Sequence, residues 1–272
     1  MTVATVTRSE FTKFFSTSVW WVLGLVLVVY IASTAGALAF VFGAVSNGTL
    51  RGDGAPVPTE GVAPLLYSLA ASVGYVIPLI LGTLIVTIEF RHKTLTATFL
   101  TTPRRGTVLW AKIVAGIVVG VGFGIVGALS SVGPAAGFLA VFGIDTDLGA
   151  GSTWALIARV VLALTIWVVV GIGVGTLVRN QVAAVVGVLV FTQFLEPIAR
   201  TAGAFVEGLD TVTNYLPGAA SDALVGASIF QMAGAGASTS GLEWWAGGAV
   251  LLGYALVLLV LGYALNWRRD VS

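Results

Sequence analysis

The sequence predicts an all-α integral membrane protein: six transmembrane helices behind an amphipathic amino-terminal interfacial helix, with a broken re-entrant outer segment between helices five and six. Three observations carry this reading. Of 272 residues, 57% are hydrophobic and only 9% charged, against roughly 25% charged in a soluble domain. Charge-poor apolar runs recur at residues 19–43, 64–88, 107–143, 154–178, 182–206 and 243–266, each long enough for the roughly 20 residues that a crossing helix needs. Lysine and arginine gather on alternate loops between those runs, the distribution that cell membranes impose.

Residues 1–18 form the interfacial helix. Phe11, Phe14 and Phe15 recur along one helical face with Arg8, Glu10 and Lys13 between them, the pattern of a helix lying at the inner surface with its aromatic side in lipid. A plain membrane anchor and a docking role both fit. The next run, 19–43, follows a basic amino end and contains the cleavage-like string Ala37-Leu38-Ala39. It is read as a retained helix, because its apolar character from Val19 to Val45 exceeds the roughly 7 to 15 residues of a signal-peptide core.

The second span is 64–88. The third run, 107–143, would make a helix of about 55 Å, well beyond a hydrocarbon core of about 30 Å. Lys112 near its start and Asp145 and Asp147 just after it belong on opposite sides, which requires one crossing. The span is therefore placed at 107–132, with Gly133-Pro134 as a break before an outer helical extension. Spans four, five and six are 154–178, 182–196 and 243–266. Residues 197–242 are too long for a simple turn and too apolar for a free linker, and Pro197, Gly203, Gly208, Pro217 and Gly218 divide them into short pieces. Half-helices dipping into the outer leaflet and packed against protein fit that punctuation. The whole chain, 1–272, reads as one transmembrane domain.

Charge sets the orientation. Arg8, Lys13, Arg91, Lys93, Arg104, Arg105, Lys112, Arg179, Arg268 and Arg269 fall on one set of loops and ends, while the other faces carry only Arg51, Arg159 and Arg200 beside most of the acidic residues. Basic loops stay in the cytoplasm, so the reading is a multi-pass protein of the cytoplasmic membrane with both termini inside.

Several functions are excluded or left without support. A net charge of +1 gives no basic field to hold nucleic acid. With no cysteine and one histidine, His92, neither a disulfide framework nor a Cys/His metal site can be built. No catalytic residue, metal site or cofactor site is assigned. None of Lys13, Lys93 and Lys112 follows a glycine, so no P-loop exists and any ATP and Mg²⁺ belong to a partner ATPase subunit. Gly122-Phe123-Gly124-Ile125-Val126-Gly127 matches a dinucleotide string but lies inside a span. There, like Gly116, Gly120, Gly171, Gly173 and Gly175, it reads as close helix packing. Asn47-Gly48-Thr49 is a glycosylation string that chance explains equally well. No ionisable residue falls mid-span, which argues against coupling to a proton or sodium through a buried carboxylate. Gln193, flanked by Phe191 and Phe194, is the polar group of most interest in a span; helix-to-helix hydrogen bonding and a place on a translocation path both fit it.

The inner loop, 89–106, reads Glu89-Phe90-Arg91-His92-Lys93-Thr94-Leu95, then Pro103-Arg104-Arg105 and, seven residues on, Lys112. This resembles the E-x-R-x-x-T-L, P-x-R, K pattern between the second and third helices of ABC-2 exporter permeases. Similarity extends to six spans, the amphipathic amino end, the broken outer segment, and Tyr215-Leu216-Pro217-Gly218 before the last span. The resemblance implies a permease that pairs with a second copy or homologue, with two ATPase subunits and with membrane lipid. It implies that residues 91–105 are the coupling helix, that Glu89 pins the end of the second helix, and that Arg104, Arg105 and Lys112 hold the loop against acidic groups or lipid phosphates. Lys93 departs from the glycine that many relatives carry. Thr94, Leu95 and Phe99 would give the loop an apolar patch at helical spacing. The expected cargo is hydrophobic, lipid-like or amphipathic. An ion-independent secondary carrier or channel, or an intramembrane enzyme, stands as the alternative.

Overall fold

A backbone surrounded by lipid must pair its own N–H and C=O groups, and helices do this locally. The computed structural model describes residues 3–50, 61–95, 98, 100, 104–206, 209–232 and 242–267, with side chains at all of these but 204, 205, 210, 231 and 232; among them there is no strand.

The order is α1 (Val3–Ser16), α2 (Val19–Ser46), α3 (Val62–Tyr67), α4 (Leu69–Ser72), α5 (Val76–Arg91), α6 (Arg105–Val141), α7 (Gly151–Leu177) and α8 (Gln181–Val190). A π turn, Phe191–Leu195, carries α8 into α9 (Glu196–Phe205), and α10 (Leu209–Thr213), α11 (Pro217–Val225) and α12 (Ile229–Met232) follow. Finally α13 (Trp244–Gly262) ends in a second π turn, Tyr263–Trp267. Five helical stretches are long and apolar enough to cross a membrane: α2, α6, α7, Gln181–Gly203 and Trp244–Trp267. The chain is a multi-pass membrane protein.

Two expectations need correction. The apolar run at 64–88 is not one helix but three, interrupted at Ser68 and at 73–75. Close packing requires glycine at the second break: a Cβ at Gly74 would lie 2.6 Å from the Ala70 carbonyl oxygen and 2.7 Å from Ile31 Cδ1. Pro78, in the first turn of α5, takes a position where a missing N–H costs nothing. Gly133-Pro134, by contrast, breaks nothing, for α6 runs through Pro134 without interruption over 37 residues. Its far half is held by α2, with Phe138 and Phe142 packed edge-on against Phe40 at 5.9 and 5.7 Å between centroids. Neighbouring helices of this kind let a spanning helix tolerate proline.

The core centres on α7, which packs against α5, α6, α11 and α13. Small residues bring backbones together there. A Cβ at Gly171 would overlap the Leu79 carbonyl oxygen, and one at Gly82 would overlap that of Val168. Gly116, Gly120 and Gly124 likewise face side chains or backbone of α7, whereas Gly122 faces open space. Two ends of the bundle follow from the alternation. The α1 end collects α1, the start of α2, the end of α5, the start of α6, the α7–α8 turn and the end of α13; the α11 end collects the others. At the α1 end Asn180 Oδ1 accepts from the N–H groups of Val182 and Ala183 at the start of α8, while Asn266 Nδ2 donates to the Thr176 and Leu177 carbonyls that close α7.

Candidate functional site

At the α1 end a charged cluster is built from three elements. α1 packs along α6 and buries Val6, Thr7 and Glu10. Its inward face is thus not purely apolar: Phe11 and Phe14 pack on the core while Phe15 stays exposed. Lys112 of α6 is fully buried, its Nζ 2.6 Å from Glu10 Oε2 and 3.1 Å from Glu89 Oε1 at the end of α5. Lys13 Nζ closes the ring at 2.8 Å from both Glu10 Oε1 and Glu89 Oε1. Two cations and two carboxylates balance. Burial works to raise the Glu10 carboxyl, but Lys112 and Lys13 outweigh it and hold the group below the ordinary carboxylate range. Burial likewise opposes charge on Lys13, and its bonds to Glu10 and Glu89 overcome this and raise it. A groove of about 300 Å³ opens beside the cluster, floored by Leu81, Leu84, Ile85 and Ile88 and reaching His92 and Thr94.

From this cluster the chain leaves α5 through a tight turn. The N–H of Thr94 donates to the Glu89 carbonyl at 3.1 Å and that of Lys93 to the Phe90 carbonyl at 3.3 Å, the double closure of a Schellman cap. Lys93 takes φ 55 there, a left-handed backbone that glycine adopts without penalty. Arg91, Lys93 and Thr94 are exposed, but Leu95 is 1% exposed and part of the chain's own core. The expected apolar patch therefore lacks Leu95, and Phe99, like Pro103, lies outside the described residues. Leu100, which the spacing argument passed over, is 80% exposed. Arg104 begins α6 and is exposed. Arg105 instead turns to the end of α13, its guanidinium donating to the Trp267 carbonyl while Trp267 Nε1 donates to the Arg105 carbonyl at 3.0 Å.

The proposed path residues lie on the π turn, which widens the helix and sends successive side chains apart. Phe191 lines an apolar groove of about 340 Å³ with Trp167, Val188, Tyr254 and Leu258. Gln193 faces a separate cavity of about 60 Å³ beside Ser72, Tyr75, Glu196 and Arg200. Phe194 is exposed on the outside of the bundle. The three residues do not share one surface.

Around the small cavity stands a polar network that the sequence reading missed. All nine residues of α11 are buried. Asp222 accepts from Ser72 Oγ at 2.9 Å, from Ser228 Oγ at 2.7 Å and from Arg200 at 2.6 Å. Ser221 accepts from Trp167 Nε1 at 3.0 Å. Glu196 is 2% exposed, and its Oε1 accepts from the N–H groups of Gly218 and Ala219 that open α11. Glu196 and Arg200 stand one helical turn apart on α9, but Ser72 and Asp222 are far from them in sequence, and each looks like an end-of-helix polar group. No periodicity joins the three segments. Among the described residues no group of three or more His, Asp and Glu side chains could hold a metal. Compared with known proteins, the sequence matches no family model and no curated protein.

Proposed function

We propose that this chain is the membrane subunit of an ABC-2 type exporter, working as a pair of permeases with two separate ATPase subunits that carry ATP and Mg²⁺. It sits in a bacterial cytoplasmic membrane with the α1 end inside. The observation that carries the reading is the ring formed by Glu89 with Lys13 and Lys112, directly before the exposed turn at 91–94. A push on that turn reaches α6 through the buried Glu89–Lys112 pair, and α1 through the buried Lys112–Glu10 pair and the half-exposed Lys13, rather than through a slack loop, which is what mechanical coupling requires. Lys93 supports the same reading, since its φ of 55 is the conformation that a glycine at this motif position would take. The apolar groove beside Phe191 and the exposed Phe194 favour a hydrophobic or amphipathic cargo, because pockets take ligands that match their lining.

The test is co-expression with a candidate ABC ATPase subunit, followed by co-purification and transport per ATP consumed. A central apolar anchor at an interface carries about 2 kcal/mol or more, so Leu100→Ala combined with Arg104→Glu should reduce ATPase retention by about tenfold or more while membrane insertion is unchanged. Full retention and full coupling in that variant, or nucleotide binding by the purified chain alone, would overturn the proposal.

A further inference from the structure

We infer that Glu196 is a proton-binding site, occupied when α11 is docked on the α8–α9 rod. The inference does not rest on the transport reading above and holds for any membrane activity. The expectation that no ionisable residue falls mid-span is overturned here: Glu196 is buried within Gln181–Gly203, a helical stretch long and apolar enough to cross a membrane. Of its two oxygens, Oε1 has the Gly218 and Ala219 N–H groups, while Oε2 is buried with no hydrogen-bond partner. Among the described residues no cation lies within ion-pair distance of it. Arg200, on the same helix, is committed to Asp222 at 2.6 Å and stacks on Phe230 at 4.6 Å. The charged groups of the network are thus Glu196, Asp222 and Arg200, two negative against one positive; Tyr75, ahead of α5, and Tyr254, on α13, are the other titratable groups that face it.

A buried carboxylate with an unpaired oxygen and a net negative surrounding is costly, and the group avoids that cost by taking a proton or a cation. The cavity distinguishes the two. It offers about 60 Å³, room for one or two waters at about 30 Å³ each, and Arg200 lines the same space. A metal ion there would meet that guanidinium. A proton adds no volume, neutralises Oε2 directly, and leaves Oε1 to accept from α11.

The step is a simple protonation, Oε2 taking one proton from water that reaches the cavity. Docking and protonation are linked. Lifting α11 removes the two N–H donors and admits water, after which the ionised form is solvated and the proton leaves. Glu196 therefore reports, and responds to, the position of the segment that follows span five.

The measurement is infrared spectroscopy of the purified full chain in lipid, titrated across about pH 5 to about pH 9 with water and deuterated water. The carbonyl stretch of a protonated carboxylic acid should persist near neutral pH and vanish on alkalinisation. Labelling glutamate with ¹³C at the side-chain carboxyl should shift that band, whereas labelling aspartate should not. Glu196→Gln should remove it, and Asp222→Asn should leave it in place. Because the isotope experiment uses unaltered protein, the outcome does not depend on whether Glu196→Gln folds. No protonated glutamate band at neutral pH, survival of the band in a folded Glu196→Gln chain, or its loss on adding sodium at fixed pH would each overturn the assignment.

Discussion

Lys112 is the residue on which the α1 end turns. Isolated in an apolar helix, a lysine reads as a snorkelling group near an interface, and the resemblance of the loop motif implies lipid phosphates or acidic groups as its partners. The structure supplies the acidic groups, Glu10 and Glu89, and buries the lysine between them. Glu89 was legible from its place in the loop motif. Glu10 was not, because a charge between aromatic residues of an amphipathic helix is normally on the solvated face, and only the docking of α1 on α6 reverses that. Breaking a buried pair by removing one partner typically costs about 3 to 5 kcal/mol, so the cluster holds three elements together. Lys93 gives the sharper test at this scale. Its left-handed φ of 55 costs a side-chain-bearing residue roughly 1 kcal/mol relative to glycine, and a β-branched residue suffers more. Lys93→Gly should therefore hold or raise the thermal unfolding midpoint, while Lys93→Val should lower it. Equal midpoints for the valine and wild-type chains would show that the turn is not strained.

The helices themselves were largely legible, and the exceptions have specific causes. α2, α6, α7 and α13 follow their apolar runs, since length and lack of charge determine a lipid-facing helix. The breaks at Ser68 and 73–75 were invisible because every residue from Val62 to Val76 except Pro64, Ser68, Ser72 and Gly74 is hydrophobic, and hydropathy does not register where an apolar run breaks. The π turn at Phe191–Leu195 left no sequence mark either. Glycine placement, by contrast, was readable in kind but not position by position. Gly171 and Gly122 both sit in small-residue strings, yet a Cβ at Gly171 would overlap the Leu79 carbonyl and lie 2.9 Å from Thr83 N, while one at Gly122 meets nothing within 4 Å. Overpacking a tight contact costs about 1 to 3 kcal/mol and sometimes more, here with backbone that cannot move aside. Gly171→Ala should lower thermal stability in detergent by about 3 kcal/mol, and Gly122→Ala should stay within about 0.5 kcal/mol of wild type. A tolerated Gly171→Ala would mean that α5 and α7 are further apart than described.

At the scale of the whole molecule, charge and fold agree on a polarity. The α1 end carries Arg8, Lys13, Arg91, Lys93, Arg104, Arg105, Lys112 and Arg179, whereas the α11 end holds Arg159 and Arg200 together with Asp145, Asp147, Glu196, Asp222 and Glu243. Arg159 and Arg200 do not dilute that contrast: one stacks on Trp244 at 4.8 Å and the other is neutralised by Asp222. Translocation leaves lysine and arginine behind and is nearly indifferent to acidic groups, so the α1 end should face the cytoplasm. The natural absence of cysteine makes this easy to measure. Single cysteines at Asn47 and Asp145, both exposed at the α11 end, and at Leu100, exposed beyond α5, can be probed in intact cells with a membrane-impermeant thiol reagent. Asn47→Cys and Asp145→Cys should react from outside; Leu100→Cys should react only after the membrane is opened. Labelling of Leu100→Cys in intact cells would invert the molecule, and with it the side on which any ATPase could meet the turn after α5.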